Sequence, residues 1–495
     1  MFIGIKMNIK NYIKDKALYI PVIILMIYFI IRLVNESVLV TNFPLDFSND
    51  ISSHIAKLYF LAKYGFHHVV PNWYNGFNYV LFESYPPGWY FSALPLYLLI
   101  GNVQLAAYIS LILIYLGLFL TIFYLGKTQD ISVINRVAFF LFLFANPITL
   151  GYLLRLGKLP ELLGWLWVII LFIIIINYKD KNLNIKFLYA IPFLSFLLIT
   201  NTTSFVVFSP IIISLLLIKN NKERLIILGV VVVSLILTAF WWIPFVNSYF
   251  NSNLGGLRLI TWVLYFSKTH IVDNLSTIFT TGLFLGLYYL YWIDKRSKKD
   301  LLFFSPFVIM ALLLLSRLII FIPIFSSAHP DNYNIMFMFL SLYLLFKTQY
   351  SKNLVKIIII SIYVFVIVGV IISILYTPFY QKHTIIENDT IGLLPFVDGN
   401  FILISNNTYT RALYSYGAIY YNTSTLLGWD DVGMKPEVIK EIYQMHLGIN
   451  CTNLRMGHLK YKLNYVIADY ENCKKLKACD FAEIKVIGSA CLFSL

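Results

Sequence analysis

The chain has 495 residues, 59% of them hydrophobic and only 13% charged, against about 25% charged in an ordinary soluble domain. That composition excludes a soluble globular protein and points to a polytopic membrane protein. The net charge of +14 sits in short Lys and Arg clusters between apolar runs; it reads as membrane topology and excludes a nucleic-acid partner, which would need one continuous basic surface.

Apolar runs near the length of a bilayer crossing fall at 18–36, 103–126, 134–153, 160–178, 185–200, 202–219, 225–247, 274–293, 301–322, 330–347 and 354–376, which predicts about eleven helices. The first run follows several lysines, exceeds the apolar stretch of a signal peptide and lacks a small-residue cleavage site, so it reads as a retained anchor. After it, residues 37–87 form a polar, aromatic-rich outer loop holding Asp46, Asp50 and His54. There Asp50, His54 and Lys57 recur at i, i+4 and i+7 beside a stripe of Ile51, Ile55, Leu58 and Leu61. The spacing predicts an amphipathic helix over Asn49 to Tyr64, lying on the membrane surface. The run Trp89 to Ile100 is short for a crossing and contains Pro95, so it reads as re-entrant or interfacial.

Basic clusters at Lys6 to Lys16, Lys127 and Arg136, Lys179 to Lys186, Lys219 to Arg224, Lys295 to Lys299 and Lys347 to Lys356 mark mostly alternate loops. Cytoplasmic loops retain such residues, which puts the N-terminus inside and, after eleven crossings, the C-terminus outside a cell membrane. The expected division is a transmembrane domain over 1–376 and a small extracytoplasmic α/β domain over 377–495. All four cysteines, Cys451, Cys473, Cys479 and Cys491, lie in the second part, as do the sequons at Asn388, Asn406, Asn422 and Asn450. Two disulfides follow, in any of three pairings. Strand patterns occur at Phe401 to Ile404 and at Tyr465 to Ile467.

This topology gathers the outward-facing polar residues into one set: Asp46, Asp50 and His54 in the first loop, then Arg155, Lys158 and Glu161, then Arg258, Lys268, His270, His329 and Asp331. Arg317 falls within the ninth run, roughly 7 Å from its outer end at helical rise. A carboxylate at a membrane cavity can act as general base on an acceptor hydroxyl, with burial raising its pKa towards the working range. Arginine and lysine facing it can hold a phosphate as charge grows there in the transition state. The combination suits glycosyl transfer from a lipid phosphate; the same residues also suit a non-catalytic lipid or glycan carrier, flippase or transporter. Asp46, Asp50 and His54 could bind a divalent metal, and no Walker loop, HExxH or CxxC motif offers a competing chemistry.

The order of these pieces resembles the GT-C superfamily of membrane glycosyltransferases. It is most similar to the group labelled 6-pyruvoyl-tetrahydropterin synthase-related membrane proteins. The matching residues are Asp50 and His54; Pro71, Asn72, Trp73 and Gly76; Tyr85, Pro86 and Pro87; GKLPE from Gly157 to Glu161; FWWIP from Phe240 to Pro244; and LKYKLNYVIADY from Leu459 to Tyr470. The resemblance implies an all-α GT-C-like membrane fold, a polyprenyl- or dolichyl-phosphate-linked sugar donor and an extracytoplasmic glycan, lipid or protein acceptor. It gives the base role to Asp50, with Asp46 second, and places Arg155, Lys158 and Glu161 in the cavity near donor or acceptor; from their outward positions alone, His54 joins the catalytic set and Arg317 and His270 the donor-phosphate set. The chain departs from the pattern at HPDNYN, His329 to Asn334, where related chains carry an Arg-Phe pair. GWDDVG, Gly428 to Gly433, echoes only faintly the WWDYG signature of the archaeal oligosaccharyltransferase subunit.

Overall fold

A membrane interior offers the backbone no water, so helices, which satisfy their own hydrogen bonds, are the expected way through it. The structure, a computed structural model, is mostly helical with a small C-terminal sheet. It describes residues 6–7, 17–45, 50–75, 77–83, 85–251, 271–322, 325, 328–348, 350–376, 382–405, 410–429, 436–446 and 449–495. Asp46, Arg258, Lys268, His270 and Gly76 lie outside the described residues.

Among the described residues, four helices are long and apolar enough to cross a membrane: Tyr19–Thr41, Val103–Thr128, Leu159–Tyr178 and Asn353–Leu375. A fifth results if Asn221–Leu237 and Ala239–Asn247, bent by 72°, count as one span. The first of these shows why the environment must be apolar: it exposes Ile20, Ile23, Ile27 and Ile30 while burying Val22, Leu25 and Phe29.

The expected eleven crossings are not reached by length and composition, because local chemistry breaks several apolar runs. The run at 134–153 stops as a helix at Phe144. Asn146 then turns its amide back onto the carbonyls of Phe142 and Leu143, at 2.8 and 2.6 Å, and a π-helical turn follows at Leu150–Arg155. The run at 225–247 bends at Thr238, whose hydroxyl bonds the Ser234 carbonyl at 2.8 Å. The run at 301–322 ends its helix at Leu315. Arg317 therefore lies in a left-handed turn past the helix end (φ 65°), and not inside a span.

One helix, Pro330–Lys347, occupies the middle of the bundle, with every residue from Asn332 to Phe346 buried. A helix that is apolar on nearly all sides belongs in such a place. Phe339 meets Phe172 edge-on at 4.9 Å, and Tyr343 does so at 5.1 Å from the same ring.

Strands β1 (Lys6–Met7) and β2 (Tyr350–Ser351) form a short antiparallel pair. The C-terminal sheet contains β3 (Asn400–Ile404), β4 (Ser424–Thr425), β5 (Leu463–Asp469), β6 (Ala482–Ile487) and β7 (Ala490–Ser494), in the order β4-β3-β5-β7-β6. The β3, β4 and β5 strands run parallel, while β7 is antiparallel to β5 and β6. Disulfides join Cys451 to Cys479 and Cys473 to Cys491, which resolves the three possible pairings.

The first loop is the platform on which this sheet rests. The helix predicted over Asn49 to Tyr64 forms as Ile51–Tyr64, and Gly65 ends it with a φ of 91° that a side chain would resist. The helix does not lie on the membrane surface: Ile51 to Leu58, Phe60 and Leu61 are all buried. Its polar residues His54 and Lys57 face Tyr85 and Tyr90, where Gly88–Ile100 begins, while the helix Thr410–Tyr420 packs on another side. Beyond it the loop doubles back, with Val70 N–H on the Tyr79 carbonyl at 2.9 Å and Leu81 N–H on His68 at 3.0 Å. The tip then pairs with the edge of the sheet: Thr425 N–H donates to the Asn72 carbonyl and Asn75 N–H to the Thr425 carbonyl, each at 3.0 Å. Strand β4 is thereby closed off instead of being left as an open edge.

Gly428 lies against the same tip, where an added Cβ would come within 2.5 Å of the Tyr74 ring and 3.0 Å of Trp73. Both aromatics are fully buried and cannot give way. Gly428→Ala is expected to cost about 1–3 kcal/mol and to speed proteolysis of the C-terminal part in the intact protein, with both disulfides still formed. Proteolysis at the wild-type rate would show that this contact does not hold the domain to the loop.

Candidate active site

The first-loop helix begins beside the turn that opens Leu159–Tyr178. The Asp50 backbone N–H donates to the Leu156 carbonyl at 2.9 Å, and the Asp50 carboxylate forms an ion pair with the Lys158 ammonium. The sequence GKLPE explains how Lys158 reaches that point. Gly157 takes a left-handed φ of 65° to reverse the chain after the π turn, Pro160 sits in the first helical turn, where its missing N–H costs nothing, and Glu161 places a negative charge at the helix N-terminus.

The start of the central helix completes the cluster. His329 caps Pro330–Lys347, its Nδ1 3.2 Å from the Asp331 carboxylate, and its ring stacks on Tyr152 at 5.0 Å. The Asn332 amide donates to the Tyr152 hydroxyl at 2.8 Å. Asp50, Glu161 and Asp331 all act electrostatically on Lys158 and on Tyr152. Three carboxylates therefore surround one ammonium, drawn from the first loop, the 150–161 turn and the HPDNYN segment. Side-chain exposures of 27% for Asp50 and 24% for Lys158 leave the pair reachable from outside.

A second layer lies deeper. His54 Nδ1 is 2.7 Å from the Tyr90 hydroxyl, its Nε2 is buried without a hydrogen-bond partner among the described residues, and the rings of Tyr85, Trp89 and Tyr90 stand within 6 Å of it. The Lys57 ammonium sits 4.1 Å over the centre of the Tyr85 ring. Trp241, from FWWIP, fixes the end of the loop by donating to the carbonyls of Phe82 and Tyr85, at 3.2 and 3.1 Å.

Burial and charge give Asp50 and His54 different protonation states. Burial pushes the Asp50 carboxyl up, but the charge and hydrogen bond of Lys158, helped by His54 and Lys57, outweigh it and hold the pKa below its ordinary value. This corrects the expectation of a raised pKa: desolvation is present but loses to the ammonium. For His54 burial dominates, and with the Lys57 and Lys158 charges overcomes the pull of Asp50, pushing it down to about 3. Lys158 is held above its ordinary value, because Asp50 and Glu161 overcome its burial. At neutral pH the set is a carboxylate, a neutral imidazole and an ammonium.

The sequence-derived residues thus divide. Asp50, His54, Lys158 and Glu161 come together, and Arg155 ends the adjoining π turn, half-buried and without an ion pair among the described residues. No ion pair joins Arg317 to the group among the described residues, and Asp46 and His270 lie outside the described residues. Tyr152 and Asn332 were missed, and His329 and Asp331 had been given no role. The signal for them was HPDNYN, a polar cap opening an otherwise apolar run. Among the described residues no three His, Cys, Asp or Glu side chains gather as a metal site; Asp50 is committed to Lys158 and His54 to Tyr90. No protein-family model matches the chain, and no curated protein matches it.

The buried neutral His54 sets a pH window. Unfolded, the ring takes a proton below about 6.5, whereas the folded protein refuses it until about 3. Stability from this group is therefore full above the unfolded value and falls as pH drops through the interval, by about 1.4 kcal/mol per pH unit. Thermal unfolding of the detergent-solubilised protein should show this acid sensitivity in the wild type and a shallower dependence in His54→Gln; equal slopes would mean that the imidazole is not held neutral.

Proposed function

We propose that the chain is an integral membrane glycosyltransferase of GT-C type, moving a sugar from a polyprenyl- or dolichyl-phosphate-linked donor to an extracytoplasmic glycan, lipid or protein. The observation that carries this reading is the partly exposed Asp50–Lys158 pair, flanked by Glu161 and Asp331 where three segments meet. In the reaction the acceptor hydroxyl attacks the anomeric carbon, the bond from that carbon to the phosphate oxygen breaks, and the lipid phosphate leaves with the negative charge. Lys158, with Arg155 beside it, supplies positive charge where the phosphate gains its own. As Lys158 turns to the phosphate, Asp50 is released to take the acceptor proton. A carboxylate with a lowered pKa is a weak base, so the proton moves late, once the forming bond has made the acceptor oxygen strongly acidic.

The topology that goes with this reading has eleven crossings of a cell membrane, the N-terminus cytoplasmic and the C-terminal domain outside. Two disulfides in that domain support an oxidising compartment. Its contacts with the first loop, through Asn72 and Thr425, support a candidate site on the same side. A reporter fused after Tyr376 is expected to read extracytoplasmic; a cytoplasmic signal would overturn the crossing count and the side assigned to the site.

For the chemistry, membranes containing the protein and a polyprenyl-phosphate sugar are expected to yield transferred sugar. Asp50→Asn and Lys158→Gln should each lower turnover by about 10²-fold or more while leaving both disulfides formed. Undiminished turnover in Asp50→Asn would remove it as base. Donor movement across the bilayer without any transfer would favour the carrier reading instead.

A further inference from the structure

The helix Leu159–Tyr178 has a charged residue at each end: Lys158 precedes it and Lys179 follows. Its 20 residues separate them by roughly 30 Å at 1.5 Å per residue. Around Lys179 there is a cavity of about 340 Å³, within the roughly 300–1,000 Å³ typical of small-molecule sites. It is built where the helices Val103–Thr128, Leu159–Tyr178, Ile271–Lys295 and Pro330–Lys347 end and Lys298–Leu315 begins.

Four helix C-termini would make such a place hostile to anions, yet three lysines, Lys179, Lys295 and Lys347, line it. Lys347 donates to the Gln129 carbonyl at 3.4 Å, answering part of that exposed backbone charge. Two aspartates also line the cavity. Asp300 is neutralised by its buried ion pair with Lys179 and accepts from the Tyr291 hydroxyl at 3.2 Å. Asp180 is paired with Lys299 at 3.2 Å, and its side chain is 70% exposed, turned outward. Lys295 lies 3.3 Å from the Asp294 carboxylate and keeps 39% of its side chain exposed. Among the described residues, with Lys299 and Asp294 counted beside the lining residues, four ammonium groups face three carboxylates. The tyrosine hydroxyls of Tyr291 and Tyr343 add donors, as in sites that hold phosphate oxygens.

We propose that this cavity binds a phosphate group, carried by an anionic lipid headgroup or free in solution. It belongs to the membrane face on which the Lys and Arg clusters fall, where anionic headgroups concentrate and basic pockets between helices hold them. The site is separate from the Asp50–Lys158 pair and does not depend on glycosyl transfer.

The experiment uses the full-length protein. Native mass spectrometry from mild detergent would measure retention of phosphatidylglycerol against phosphatidylcholine, and thermal unfolding would measure protection by inorganic phosphate. Wild-type protein is expected to retain phosphatidylglycerol at least fivefold better than phosphatidylcholine, and Lys295→Gln and Lys347→Gln to lose most of that preference. Lys295→Arg should keep it, which a purely structural lysine would not predict for headgroup selectivity. Retention of the lipid without protection by inorganic phosphate assigns a headgroup site; protection by inorganic phosphate that is lost in the same variants assigns a free-phosphate site. No preference in the wild type, or a preference unchanged in both Gln variants, overturns the proposal. Lys295, being partly exposed, is the variant that disturbs folding least, checked by an unchanged unfolding temperature without added ligand.

Discussion

The hydrogen bonds of one buried asparagine hold the two parts of the chain in register. Asn72 uses its whole side-chain amide and its carbonyl: its Nδ2 donates to the Thr423 carbonyl at 2.9 Å, its Oδ1 accepts from Tyr64 at 2.5 Å, and its backbone oxygen accepts from Thr425 N–H at 3.0 Å and from the Thr425 hydroxyl at 3.2 Å. An amide taken from water must recover its bonds in the protein. Here they are recovered only when the loop tip, the first-loop helix and β4 are all in place. Lys63, donating to Asn422 at 2.6 Å, ties the same helix end to the same turn.

The far end of that helix carries Asp50. Docking the C-terminal domain on one side and Gly88–Ile100 on another leaves the helix no freedom to tilt, and this fixes Asp50 against the Leu156 carbonyl and Lys158. The same covering removes water from His54 and Lys57. Low dielectric strengthens every charge interaction left inside, so a neutral imidazole, a carboxylate and an ammonium settle into distinct states side by side.

The sequence made some of this legible. Periodicity located the first-loop helix to within two residues of its start, and β3 and β5 contain the predicted strand segments. GKLPE could be read as a helix start because each residue has a local reason to be there. The failures are non-local or subtle. The helix was expected on the membrane surface because a window along the chain does not show the elements that pack on it, Gly88–Ile100 and, some 350 residues later, Thr410–Tyr420. Hydropathy scanning measures apolar runs and not the side chains that interrupt them, so the breaks at Asn146 and Thr238 went unseen. The lowered Asp50 pKa needed the position of Lys158, not just its presence in the sequence.

The helix Leu159–Tyr178, long and apolar enough to cross a membrane, joins these observations. It is apolar over most of its length and largely buried, so it has no hydrophilic surface along which to slide. At one end Lys158 is fastened to the first loop through Asp50, and at the other Lys179 is fastened to the helix Lys298–Leu315 through Asp300. Breaking either pair would leave an unpaired charge in a poorly solvated place, at a cost of about 3–5 kcal/mol for a fully buried pair. The Lys179–Asp300 pair is the more buried of the two and the Asp50–Lys158 pair is partly open. The Asp50–Lys158 pair is accordingly the one more open to an exchange of partners, while the Lys179–Asp300 pair ties the opposite end of the helix to Lys298–Leu315.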